Sequence, residues 1–157
     1  MREELAICVL PHPQFLVILW LHTDVDPPTS QWTAAIEQLL QTRRERGLSI
    51  DRVRSLVITD GAAPNAAQRI EVMRDLHEGL PNKLAVLTLA MSNPIKRGIA
   101  TALSWVNPAI RFYRPTQFRE ALVYLDLADQ SEAIRREYQR LNARLNGLVR
   151  LVDHVSF

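Results

Sequence analysis

Residues 15–21 read Phe15-Leu-Val-Ile-Leu-Trp-Leu21, seven apolar residues without a break. That length suits a strand better than a helix. With no polar alternation, both faces must be covered, as at the centre of a sheet flanked by helices. The preceding run, residues 4–10, is also of strand length and stops at Pro11 and Pro13. Proline cannot donate to a ladder, so this first strand belongs at a sheet edge. The Pro-His-Pro turn between the two runs predicts a hairpin.

Downstream, a polar loop from His22 to Pro28 leads to Trp32, Ala35, Ile36, Leu39 and Leu40 at helical spacing. Arg43, Arg44, Glu45 and Arg46 finish that helix before Gly47; cations there complement the dipole and glycine suits the left-handed cap. Residues 54–60 form the next strand. Asn65 with Gln68 has the spacing of a capping box and opens a helix whose Ile70, Met73, Leu76 and Leu80 would face the sheet. Residues 83–90 are a further buried strand. Ser92 and Asn93 precede Pro94, an N-cap and first-turn proline for a helix carrying Ile95, Ile99, Ala102, Leu103 and Val106. Residues 110–114 are the last, shorter strand, and Pro115 starts a helix with Phe118, Ala121, Leu122 and Leu125.

The order is ββαβαβαβα. Helices between buried strands require parallel crossovers, so the fold class is α/β: a mixed five-stranded sheet with one antiparallel strand at its start. This unit occupies residues 1–127. Residues 128–157 are expected to add a long amphipathic helix. Asp129 with Glu132 resembles another capping box, and Ile134, Tyr138, Leu141, Leu145, Leu148, Val152 and Val155 alternate steps of four and three as a heptad seam does. The helix is expected to reach about residue 152. Its seam either docks on the domain's own sheet or pairs with a second copy or a partner. The completeness of the α/β unit by Leu127 favours self-association through Ile134, Tyr138, Leu141, Leu145, Leu148 and Val152.

With 157 residues the chain is the size of one ordinary domain. Nineteen basic against seventeen acidic residues give a net charge of +2, so the pI near 9.0 reflects arginine chemistry, and no polyanionic partner is demanded. Nucleic acid is not an expected partner, because acids break up the basic face of the last helix. No apolar run approaches the ~20 residues of a membrane span, and the acidic N-terminus is unlike a signal peptide. A cytoplasmic location is expected. Cys8 alone permits no internal disulfide.

Ligands of open α/β sheets bind beyond the carboxyl ends of parallel strands. The loops expected there carry Asp24, Asp26, Asp60, Gly61, Asn65, Ser92, Asn93 and Arg114, while Lys96 and Arg97 occupy a helix start where cations oppose the dipole and suit an anion or a partner's carboxylate. His12, His22, His77 and His154 lack metal-site spacing, and Cys8 reads as a small buried hydrophobe. No dinucleotide fingerprint, P-loop or nucleophile elbow occurs. No enzyme activity, cofactor or metal is expected.

The segments SLVITDGAAPNAAQR (residues 55–69) and KRGIATALSWVNPAIRFYRP (residues 96–115), with the leading hairpin, resemble the STAS domain (sulfate transporter and anti-sigma factor antagonist), most closely the small stand-alone STAS/SEC14-like bacterial proteins. The resemblance covers residues 4–127. It implies a regulatory or scaffold domain that acts by binding a protein partner, with a nucleotide, lipid or other small ligand as the alternative. Trp20, Trp32 and Trp105 would wall such a ligand's pocket. Anti-sigma antagonists carry a phosphorylatable Ser or Thr after the strand ending at Asp60; here no hydroxyl stands between Gly61 and Ala67, so that switch is not expected. A second likeness is to response-regulator receivers, through Asp24, Asp26, Asp60, Thr88 and Arg114-Pro115. It would make Asp60 a magnesium-assisted phospho-acceptor. Against it stand four strand–helix units instead of five, and arginine in place of the receiver lysine.

Overall fold

The computed structural model describes residues 1–48, 52–61, 65–75, 83–89 and 109–157. Five strands, β1 (Leu5–Leu10), β2 (Leu16–His22), β3 (Val53–Thr59), β4 (Lys83–Thr88) and β5 (Ile110–Tyr113), form one sheet in the order 1-2-3-4-5. β1 pairs antiparallel with β2, and the remaining pairs are parallel. The mixed α/β sheet read from the sequence is present, with its antiparallel strand at the edge. Every residue of β2 is buried, as its unbroken apolar run requires.

The two faces of β2 serve two cores. Leu16, Ile18 and Trp20 meet Trp32, Ala35, Ile36 and Leu39 of α1 (Thr29–Arg46). Val17, Leu19 and Leu21 join Leu56, Ile58, Ala85 and Leu87 under α3 (Phe118–Tyr124) and α4 (Ser131–Arg144). Burying one such leucine fully contributes roughly 1.5–3 kcal/mol, so a strand that fills two cores anchors the sheet. α1 ends as its sequence predicts: Gly47 adopts φ 61° and its N–H donates to the Arg44 carbonyl at 3.1 Å. α2 (Ala66–Asp75) opens on the expected reciprocal cap. Asn65 N–H donates to Gln68 Oε1 at 2.9 Å, and Gln68 N–H donates to Asn65 Oδ1 at 3.0 Å.

The C-terminal segment departs from expectation. α4 stops at Arg144, far short of residue 152, because Asn146 and Gly147 take left-handed φ values of 58° and 68°. Glycine bears that conformation without a Cβ penalty, and asparagine tolerates it better than most residues. The Asn142 side chain then pins the returning chain by accepting from Val149 N–H at 3.1 Å and donating to the Val149 carbonyl at 3.2 Å. A 3-10 turn (Arg150–His154) follows, and Phe157 meets Phe118 edge-on with ring centroids 4.8 Å apart.

The seam expected to serve self-association is therefore occupied within the chain. Ile134, Tyr138, Leu141, Leu145 and Val152 lie in the same core as Leu56 and Phe118, and Leu148 is half-buried. The Tyr138 hydroxyl donates to the Leu56 carbonyl at 2.6 Å. Arg144 holds Glu3 through two hydrogen bonds of 3.0 and 2.6 Å, which ties the N-terminus to α4. Residues 128–157 thus pack with α3 over one face of the sheet, in the same core.

Smaller corrections have local causes. Asp129 does not cap α4, whose N-cap is Gln130 without a side-chain bond; Glu132 pairs instead with Arg135 one turn on. Ile70 points outward, 65% exposed. The Met73 side chain, Leu76, His77, Leu80 and the helix expected after Pro94 lie outside the described residues.

Candidate functional site

The carboxyl ends of β2, β3 and β4 align in register, with His22 beside Thr59 and Thr59 beside Thr88. All three are buried. Strand spacing of about 4.8 Å makes this row a compact edge.

Much of its polar chemistry is used internally. Asp60, directly after β3, donates its N–H to the His22 carbonyl at 3.2 Å. Its carboxylate accepts Arg150 N–H and Leu151 N–H, each at 2.8 Å, and so caps the C-terminal 3-10 turn. Gly61 N–H donates to Thr59 Oγ1 at 3.1 Å. Thr23 donates its hydroxyl to the buried carboxylate of Glu4, which Arg2 Nε also meets at 3.0 Å.

His22 is the titratable group set deepest here. Burial pushes its pKa down to about 4, against a weaker upward pull from Asp26, so the imidazole is neutral at ordinary pH. It stacks on Trp20 at 6.5 Å, and Trp20 stacks on Trp32 at 5.7 Å. Among the described residues, His22 Nδ1, Trp20 Nε1 and Trp32 Nε1 are buried without a hydrogen-bond partner. The tryptophans expected to wall a pocket are packed in the α1 core at 2–3% exposure, and Trp105 lies outside the described residues.

Of the residues singled out from the sequence, Asp60, Gly61 and Asn65 do occupy this edge, with Asp60 serving as a cap. Asp24 and Asp26 are exposed in the loop after β2. Arg114 is exposed beyond β5, its N–H donating to Gln117 Oε1 at 3.0 Å. Ser92, Asn93, Lys96 and Arg97 lie outside the described residues. Sequence reasoning missed the Glu4–Thr23 pair, because a glutamate before the first strand gives no local sign that it will be buried. It also missed three exposed apolar residues in segments that follow this edge: Val25 (46% exposed), Leu89 (51%) and Ile70.

Among the described residues no three His, Cys, Asp or Glu side chains converge to hold a metal, and no helix is long and apolar enough to cross a membrane. No family model, curated protein or solved structure matches the chain.

Proposed function

We propose that the chain is a STAS-like, non-enzymatic regulatory or scaffold module that holds a protein partner on the carboxyl edge of its parallel strands. The observation behind this reading is the chemistry of that edge. Asp60, Thr23 and Thr59 hold their own backbone or neighbouring side chains, while Val25, Ile70 and Leu89 stay exposed in the segments that follow β2, β3 and β4. Exposed apolar residues in the segments after the strands, beside polar groups used internally, suit a protein surface better than a reactive centre. The test is affinity capture from the source cell with the wild-type chain and with Val25→Glu and Leu89→Glu, each checked for native circular dichroism. A partner retained by the wild type and lost by the variants supports the reading; equal capture by all three, or turnover of a metabolite, refutes it.

A small ligand is the second reading, favoured by the unpartnered nitrogens of Trp20, His22 and Trp32. A buried donor or acceptor without a partner costs roughly 1–3 kcal/mol, which a bound polar group would recover. Native mass spectrometry of freshly purified protein tests it, and a bare mass would end it. The receiver-like reading has less support, because both Asp60 oxygens already accept backbone N–H groups. Acetyl phosphate with magnesium, followed by intact mass, checks it: the reading needs an adduct that Asp60→Asn abolishes.

A further inference from the structure

The opposite edge of the sheet, where the parallel strands begin, carries an arrangement that the proposed function leaves unused. Arg54 and Lys83 are register neighbours on β3 and β4, and Arg111 of β5 lies beside Ala85, two residues along β4 from Lys83. Like charges on adjacent strands repel, so such a row needs a reason. Asp126 supplies part of it. This residue follows α3 in the left-handed conformation, φ 61°, which asparagine or glycine would normally fill. Its Oδ2 accepts from Arg54 Nη2 at 3.2 Å and from Lys83 Nζ at 2.8 Å.

One carboxylate balances one cation. Arg54 is the buried member, with its guanidinium 4.1 Å over the Phe15 ring. Lys83 shares the same carboxylate at the shorter distance of 2.8 Å, and among the described residues Arg111 forms no ion pair. Both are gathered by one ring: Arg111 Cζ lies 4.3 Å and Lys83 Nζ 5.4 Å from the Tyr124 centroid. Tyr124 is itself fixed, its hydroxyl donating to the Ala109 carbonyl at 2.6 Å. The result is a held pair of cations, one a planar fork and one a point charge, with a phenol beside them.

We propose that Lys83 and Arg111 bind the phosphate of a monoester, with Tyr124 as the platform and Asp126 and Arg54 as the brace. A phosphate monoester carries about −1.5 to −2 charge at pH 7, enough to engage both cations. Its oxygens accept the bidentate fork of Arg111 while Lys83 supplies the point charge. The ester is either a soluble metabolite or a lipid headgroup.

The full chain is titrated with glycerol 3-phosphate at constant ionic strength, followed by calorimetry, beside Lys83→Gln, Arg111→Gln and the control Arg135→Gln. The expected result is saturable binding, weakened about tenfold or more by either site substitution and unchanged in the control, as loss of one charge-assisted bond implies. A second arm sediments the chain with phosphatidylcholine vesicles with and without phosphatidic acid. Extra sedimentation with phosphatidic acid that Arg111→Gln removes identifies the headgroup as the source, and binding confined to the first arm identifies a soluble ester. No saturable binding in either arm, or equal binding by the wild type and both site variants, overturns the proposal. Arg111 is exposed, so its substitution leaves the core intact.

Discussion

Asp60 Oδ1 accepts the backbone N–H of Leu151 at 2.8 Å, across 91 residues of sequence. The other oxygen takes Arg150 N–H, so the residue that ends the central β3 crossover also caps the last turn of the chain. Asp60, read from the sequence as a binding residue, also latches the C-terminal turn.

Removing the latch is expected to loosen the C-terminus before it unfolds the sheet. Asp60→Ala should cost about 1–2 kcal/mol, the usual loss for a cap, and Asp60→Asn less, since one acceptor oxygen remains. Urea unfolding gives the magnitude. Hydrogen exchange should quicken at residues 150–155 and stay slow in β2; uniform quickening would show that no local latch exists.

The seam of α4 should behave as core. Tyr138→Phe leaves the Leu56 carbonyl without its donor and is expected to cost about 1–2 kcal/mol. Leu145→Glu buries an unpaired charge and should unfold the chain, where an interface role would instead yield a folded monomer. A chain ending at Ala128 should lose cooperative unfolding. Light scattering with thermal melts separates these outcomes, and a stable truncated monomer would contradict the packing described.

Acid should weaken the fold through His22. The unfolded imidazole takes a proton near its ordinary 6.5 and the folded one only near 4. Between those values the unfolded state holds more protons, so stability falls as pH falls, by on the order of 3 kcal/mol across the window. Glu3, held below the usual carboxylate range by its Arg144 hydrogen bonds, and Asp126, held below it against burial by Lys83 and Arg54, add losses only at still lower pH. Urea midpoints measured from about pH 7 down to about pH 4.5 should therefore decline in the wild type and decline less in His22→Phe, where His12, its pKa also lowered by burial, still contributes. A flat wild-type profile would mean that the imidazole is hydrated.

Cys8 should resist alkylation. Burial, then the Glu137 carboxylate 3.6 Å from its sulfur, push its pKa up to about 12. Its thiolate population at mildly basic pH is then about a thousandfold below that of a free thiol. Iodoacetamide followed by intact mass should leave the native chain unmodified while labelling the urea-unfolded chain, and Glu137→Gln should speed the native reaction. Equal native and unfolded rates would place the thiol in solvent.

Some of the fold was legible because its causes are local. Residues 15–21 announce a strand covered on both faces, Pro11 and Pro13 an edge, Gly47 a helix stop, and Asn65 with Gln68 a helix start; each signal acts within a few residues of itself. The last helix misled for the opposite reason. Apolar steps of four and three continue through Asn146-Gly147, so periodicity outvoted a turn signal that the backbone obeys. Periodicity says that a face will be buried and is silent on what buries it.

Sequence alone thus determined the mixed α/β sheet and its antiparallel edge, since burial pattern and proline chemistry operate along the chain. Tertiary structure decided the rest. The C-terminal seam closes the second face of the sheet, Asp60 becomes a cap, and Asp126 joins Arg54 and Lys83 across 72 and 43 residues. Such partners meet only when strands distant in sequence take adjacent places in the sheet, and charge pairing depends on that separation in space.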